Sequence, residues 1–157
     1  MTKLVASDID GTLLPEGTKD LNPEIYDIIL GLKKHDIHFV VASGRQLDSQ
    51  QQLFASVAND ISYISENGAI CMHEGQKFVI SELNRDFAMC IITEVEKRPN
   101  CKLAISTPST QYIKSGDSEF YKYICDHLSY NITVIDSFRD IDEAIVKIAF
   151  LDEVTTQ

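Results

Sequence analysis

The sequence predicts an α/β chain in two parts: a parallel sheet built from βαβ units, then an α+β module with antiparallel pairing. Two observations predict it. Within the first 65 residues, short uninterrupted apolar runs alternate with apolar stripes of helical period. That alternation marks strands buried on both faces of a parallel sheet and joined by right-handed helical crossovers. From Asn67 onward the pattern becomes short apolar runs paired around Gly- and Pro-containing turns, which marks antiparallel hairpins. The expected boundary therefore divides residues 1–66 from residues 67–157.

Each element has its own reason. Leu4-Val5-Ala6-Ser7 is an apolar run ending in two acids, the first buried strand. Asn22-Pro23-Glu24 opens a helix, since Asn caps, Pro suits the first turn and Glu favours the positive helix end. Ile25, Ile28, Ile29 and Leu32 then form the stripe expected to pack on the sheet. His38 to Ser43 is the second strand, Gly44 to about Val57 the second helix, and Ile61 to Ser65 the third strand. In the second part, 69–73 and 77–80 flank Glu74-Gly75-Gln76 as a hairpin. Residues 84–97 form a helix with Phe87, Ile91 and Val95 inward. Strands are expected at 102–106, 111–114, 131–135 and 145–151. A helix at 117–128 turns Phe120, Tyr123, Ile124 and Leu128 inward, and the acidic stretch 136–143 reads as a solvated turn and helix start.

Composition narrows the function. The 157 residues carry 14 Lys and Arg against 24 Asp and Glu, a formal charge of −10. Nucleic-acid backbones are gripped by clustered Lys and Arg, so this balance argues against that class of partner, while a pocket for small anions needs only local amides or cations. No window reaches the about 20 apolar residues of a membrane span, and Asp8 interrupts any signal-peptide pattern. Cys71, Cys90, Cys101 and Cys125 contain no Cys-x-x-Cys pair, which reads as reduced thiols and a cytoplasmic setting.

The chemistry-bearing residues sit at the ends of the first three strands. In Asp8-Ile9-Asp10-Gly11-Thr12-Leu13-Leu14 the two acids are two residues apart, so both project to one side while Ile9 faces away. The carboxyl edge of a parallel sheet is where ligands bind. Two acids this close repel unless a cation joins them, and Mg²⁺, which prefers carboxylate and carbonyl oxygens and arrives with phosphate, is the natural choice. Gly11 lets the chain turn sharply, and Thr12 adds a hydroxyl. Ser43-Gly44-Arg45 takes the same place on the second strand, as a helix start with free amides suited to an anion. Glu66-Asn67-Gly68-Ala69 follows the third; alone it is only a turn. His35, His38, His73 and His127 are scattered and read as structural or solvated, and the tyrosines as core or surface aromatics. Gly11 to Lys19 does not have the spacing of a phosphate loop, and no Gly-x-Gly-x-x-Gly exists.

Together, Asp8 to Leu14, Ala42-Ser43-Gly44-Arg45, Glu66-Asn67-Gly68-Ala69 and Lys147 to Leu151 resemble the Cof-like phosphatases of the haloacid dehalogenase superfamily, over essentially the whole chain. The resemblance implies a Rossmann-like core with an α+β cap inserted after the third core strand. It implies Mg²⁺-dependent hydrolysis of small phosphate monoesters such as sugar phosphates. On this resemblance Asp8 is the nucleophile that becomes an aspartyl-phosphate, and Asp10 the general acid and then base. Asp8 through its side chain and Asp10 through its carbonyl hold the metal. Gly11, Thr12, Ser43 and Gly44 serve the phosphoryl group, and Arg45 and Asn67 make contacts near the cap entrance.

The resemblance also implies a later phosphate-binding Lys and a magnesium-binding acidic pair, which no segment here matches; Lys102, Lys114 and Lys147 fall in cap-like strands. A fragment, a truncated product or a chain completed by another copy is therefore expected. The first strand, without its outer neighbours, presents an apolar edge open to self-association. The alternative function is a catalytically inactive module that keeps a phosphate and metal cradle. A phospho-receiver domain would need an Asp at the end of the third strand, where Ile64-Ser65-Glu66 stands.

Overall fold

The computed structural model describes residues 2–116 and 118–152, without the side chains of residues 126–128. Residues Met1, Asp117 and 153–157 are outside it, as are the expected roles of the His127 and Leu128 side chains. The chain forms two compact units, Met1–Ile80 and Ser81–Gln157.

In the first unit, β1 (Leu4–Ser7), β2 (His38–Ala42) and β3 (Ile61–Ser65) pair in parallel and in sequence order, linked by α1 (Glu24–Lys34) and α2 (Leu47–Leu53). The expected hairpin, β4 (Ile70–His73) and β5 (Gln76–Val79), does not belong to the second module. β4 pairs antiparallel with β3, so one sheet runs β1-β2-β3-β4-β5. The reason is the tight turn after β3, which reverses the chain within four residues and returns it alongside its own predecessor. Ser62 anchors the hairpin further: its hydroxyl lies 2.7 Å from both His38 Nε2 and His73 Nδ1, so these two histidines are structural.

Three expectations of burial are corrected here. β1 is an edge strand, and Leu4 stays 55% exposed instead of buried on both faces, because nothing among the described residues pairs beyond it. In α1 only Ile29 is fully covered, while Ile28 remains 60% exposed, since the sheet beneath ends at β1. The second helix starts at Leu47, three residues after Gly44: Gln46 is still extended (ψ 145°) and forms the N-cap.

In the second unit the sheet runs β8-β7-β6-β9, from β6 (Cys101–Ser106), β7 (Gln111–Lys114), β8 (Ile132–Ile135) and β9 (Lys147–Asp152). Pairing is antiparallel, as expected, except that β7 and β8 are parallel. They are joined through α4 (Ser118–Leu128), and a helical crossover returns the chain in the same direction. α3 (Arg85–Glu96) is capped by the Asn84 side chain, which accepts from the Phe87 amide at 3.1 Å. Its inward face is Ala88 and Ile92, one position on from the expected Phe87 and Ile91; Phe87 is exposed. They pack with Leu103, Ile105, Phe138, Ile141 and Ile145. Phe138 and Ile141 thus bring part of the acidic 136–143 stretch into the core. Tyr123 of α4 is likewise exposed where it was expected inward, while Ile124 is buried. Among the described residues no helix is long and apolar enough to cross a membrane.

Candidate active site

Geometry at the end of β1 follows from one fully buried side chain. Ile9 has no exposed surface, and its carbonyl accepts the amides of Thr12, Leu13 and Leu14 at 3.1, 2.9 and 2.8 Å. The loop folds over this anchor. Gly11 adopts a left-handed φ of 76°, and its amide reaches the Leu14 carbonyl at 3.0 Å. Asp8 and Asp10 flank the anchor and face outward, both exposed. Asp8 Oδ1 accepts the amide of Ile9 at 2.8 Å, which fixes the carboxylate and leaves Oδ2 without a partner among the described residues. Thr12 is exposed beside them.

The second motif lies against the first. Register places Ser7 beside Val41, and Val41 beside Tyr63, so β2 ends one residue and β3 two residues beyond the level of Ser7. Arg45 reaches across to Asp10 in a two-point contact: Nε to Oδ2 at 3.0 Å and a terminal nitrogen to Oδ1 at 2.6 Å. The guanidinium is well covered and the carboxylate is not (14% and 56% exposed side chains). Arg45 thus contacts the acid itself, a partnership that its expected place near a cap entrance did not include. The two contacts use one lone pair on each carboxylate oxygen and fix the direction in which Asp10 faces.

Ser43 is buried, and its hydroxyl accepts the Arg45 amide at 3.2 Å. The third strand end completes the rim. The amides of Asn67 and Glu66 donate to the carbonyls of Ser43 (3.4 Å) and Arg45 (3.2 Å). Gly44 gives the Asn67 side chain its room: a Cβ there would lie 2.4 Å from Asn67 Oδ1, and the amide would have to swing aside. Glu66, Asn67 and Gly68 all have left-handed backbone, with φ of 50°, 58° and 96°. Two non-glycine residues in succession in that region store strain, which persists where a site requires it.

Two supporting residues escaped the sequence reading. Gln50 is fully buried in α2 and donates from Nε2 to the Arg45 carbonyl at 3.0 Å, clamping the loop from behind. Glu66, read from the sequence only as part of a turn, is 2% exposed. The helix reads Leu-Asp-Ser-Gln-Gln-Gln-Leu, so nothing in its pattern singled out Gln50 from its two glutamine neighbours.

Asp8 and Asp10 offer hard oxygen donors of the kind Mg²⁺ prefers. That ion keeps several waters and is commonly held by one or two carboxylates plus substrate phosphate, so the pair fits it. Among the described residues no group of three or more His, Cys, Asp or Glu gathers to hold a metal.

A parallel sheet with paired acids at the rim of its first strand defines a class of α/β protein that handles ligands at strand ends. The chain belongs to the haloacid dehalogenase-like hydrolase family, whose model matches residues 5–156. It is 27% identical over 146 residues to the 5-amino-6-(5-phospho-D-ribitylamino)uracil phosphatase YbjI of Escherichia coli K12, covering 92% of this chain and 54% of the other. Among solved structures it resembles SMU.1108c of Streptococcus mutans (TM-score 0.82, 25% identity, 96% of this chain and 57% of that one). The HAD subclass IIB sugar phosphatase BT4131 shares the fold (TM-score 0.78, 18% identity, 94% and 57%). The chain spans about half the length of the relatives it matches.

Proposed function

We propose that this chain carries the phosphoryl-transfer residues of a cytoplasmic, Mg²⁺-dependent phosphatase acting on small phosphate monoesters of the sugar-phosphate kind. The single observation behind it is the pair of outward carboxylates around buried Ile9, tied by Arg45 to the Ser43–Gly44 loop. Asp8 Oδ2 attacks phosphorus, the ester P–O bond breaks, and Asp10 gives its proton to the leaving oxygen. Asp10 then takes a proton from water, whose oxygen displaces Asp8 from phosphorus and releases inorganic phosphate. Positioning that proton contributes about 10²–10⁴-fold. Ser43 and the Gly44 amide hold the phosphoryl oxygens, with Gly11 and Thr12 bounding the loop. Arg45 orients Asp10 through its two contacts and leaves a lone pair on each oxygen for the proton step. Asn67 fills the space left by the missing Gly44 side chain. The Asp8 carboxylate and Asp10 carbonyl would hold Mg²⁺, which supplies neutralisation of the phosphate charge.

The partners in this reading are a phosphorylated metabolite and, at the free edge of β1, a second copy of the chain; sedimentation with and without β1-edge charges (Ala6→Lys) tests the latter. Phosphate release from a panel of monoesters with Mg²⁺ tests the activity. The expected result is turnover that Asp8→Asn reduces to background. No turnover across the panel would remove the enzymatic reading for this chain. A second reading, a phosphate- and metal-binding module without turnover, is favoured by one observation: no third ligand joins the two acids among the described residues. Stabilisation by phosphate with Mg²⁺, but no product, would select it.

A further inference from the structure

Arg85, Met89 and Thr93 recur at every fourth position of α3, forming a stripe beside the buried Ala88–Ile92 face. The short helical turn Phe138–Asp140 packs Phe138 into the same core as Ala88 and Ile92. That packing sets Arg139 opposite the α3 stripe. Arg85, Met89, Thr93 and Arg139 together line a concavity of about 320 Å³, with no acid among them.

The two arginines are held in different ways. Arg85 donates one guanidinium hydrogen to the Ile141 carbonyl, which orients the group and leaves its other donors without a partner among the described residues. Arg139 is placed through its backbone, whose amide donates to Ser137 Oγ at 3.3 Å. Among the described residues neither guanidinium meets a carboxylate. That is notable in a chain with 24 acids and 14 bases, where Arg45, Lys33, Lys97 and Lys114 all have acidic partners. Both arginines are exposed at the surface, and two cations sharing a concavity repel each other unless an anion joins them; planar guanidinium forks match oxyanions. The thioether of Met89 and the methyl of Thr93 form an apolar floor; the Thr93 hydroxyl is already spent on the Met89 carbonyl at 2.7 Å.

We infer that the second unit carries an oxyanion-binding site between Arg85 and Arg139, separate from the residues at the β1 rim and independent of the role given to Asp8. Its ligand is a small molecule bearing a phosphoryl or carboxylate group. The test is a titration of ¹⁵N-labelled protein with inorganic phosphate, and in a second arm with malonate, each at constant ionic strength set by chloride. Saturable shifts of the Thr93 and Arg139 amides are expected with at least one probe, and the stronger probe names the ligand group. Arg139→Gln is expected to weaken that binding about 10-fold or more, the scale of one charge-assisted contact. Shifts at Ser43 and Gly44 stay as in the unsubstituted protein and mark the rim separately. Should Arg85→Gln lose the Ile141 contact and unfold α3, Arg139→Gln alone decides. Absence of saturable shifts at Thr93 and Arg139 with both probes overturns the inference, as does unchanged binding in Arg139→Gln.

Discussion

Apart from Ser62, buried polar side chains gather at one place in each unit, and the two gatherings differ. In the first unit Ser43, Gln46, Ser49, Gln50, Ser65 and Glu66 cluster at the ends of β2 and β3, beneath loops that are strained and open. Gln50 leaves its amide oxygen buried without a hydrogen-bond partner, as Gln111 does in the second unit, so the two sets differ in backbone strain and not in this respect. In the second unit Ser106, Thr107, Thr110 and Gln111 close the β6–β7 turn on themselves. Thr107 Oγ1 donates to the Thr110 carbonyl (3.0 Å), Thr110 Oγ1 meets Thr133 Oγ1 (3.0 Å), and Gln111 donates to Ser106 Oγ (3.3 Å). One set holds a loop in a shape that the backbone alone disfavours; the other only finishes a turn. Polar burial with strain marks a site, and polar burial without it marks architecture.

Core truncation tests this contrast with the largest effect. Ile9→Ala and Ile92→Ala each remove a fully buried side chain, and each is expected to destabilise its unit by about 2–5 kcal/mol in denaturant titrations. Only Ile9→Ala should also weaken the response to Mg²⁺ and phosphate, because the buried Ile9 side chain seats the residue whose carbonyl gathers the acid-bearing loop. Equal losses of that response in both variants would erase the distinction between the units.

High pH gives the next effect. Burial pushes the Tyr63 phenol in β3 up to about 12, above its value of about 10 in an unfolded chain. Below pH 10 both states keep the proton and nothing is lost. Between about pH 10 and 12 the unfolded state loses its proton first, so stability falls as pH rises, by at most roughly 2–3 kcal/mol. Tyr63→Phe should flatten that part of the curve; an unchanged slope would contradict the assignment. Tyr112 in the second unit is also raised, by burial and by donating to Glu143 at 3.0 Å.

Adding a methyl group at Gly44 is expected to destabilise by little more than about 1 kcal/mol, the low end of overpacking costs, since the end of the Asn67 side chain would have to move aside. Asn67→Ala should recover part of the loss in the double variant. Strict additivity would show that the two do not touch. Smallest is Thr110→Val in the second unit, at about 1 kcal/mol for the lost turn hydrogen bonds, with no change in phosphate response.

Much of the fold was legible because parallel strands announce themselves as continuous apolar runs, and β2 and β3 lie within a residue of expectation. The hairpin was read correctly as a hairpin, yet which sheet it joined is a nonlocal matter that its own residues do not encode. α3 offered two overlapping stripes of helical spacing; the bulk of Phe87 outweighed small Ala88, although Ala88 is the one that packs closely. At the site, the outward acids around inward Ile9 were readable from strand alternation. The Arg45–Asp10 contact was not, because it joins residues 35 apart through loop shape alone. The start of α2 was misplaced because Ser43 and Gly44 carry cap-like chemistry while the real cap is Gln46, an unusual residue for that role.

Rapid acid quenching of the chain with Mg²⁺ and acetyl phosphate, followed by peptide mass spectrometry, addresses the central claim most directly. The account predicts one phosphoryl group on the peptide containing Asp8, absent in Asp8→Asn and still formed in Asp10→Asn. Modification at any other residue, or an unmodified Asp8 peptide in protein that releases phosphate, would contradict it.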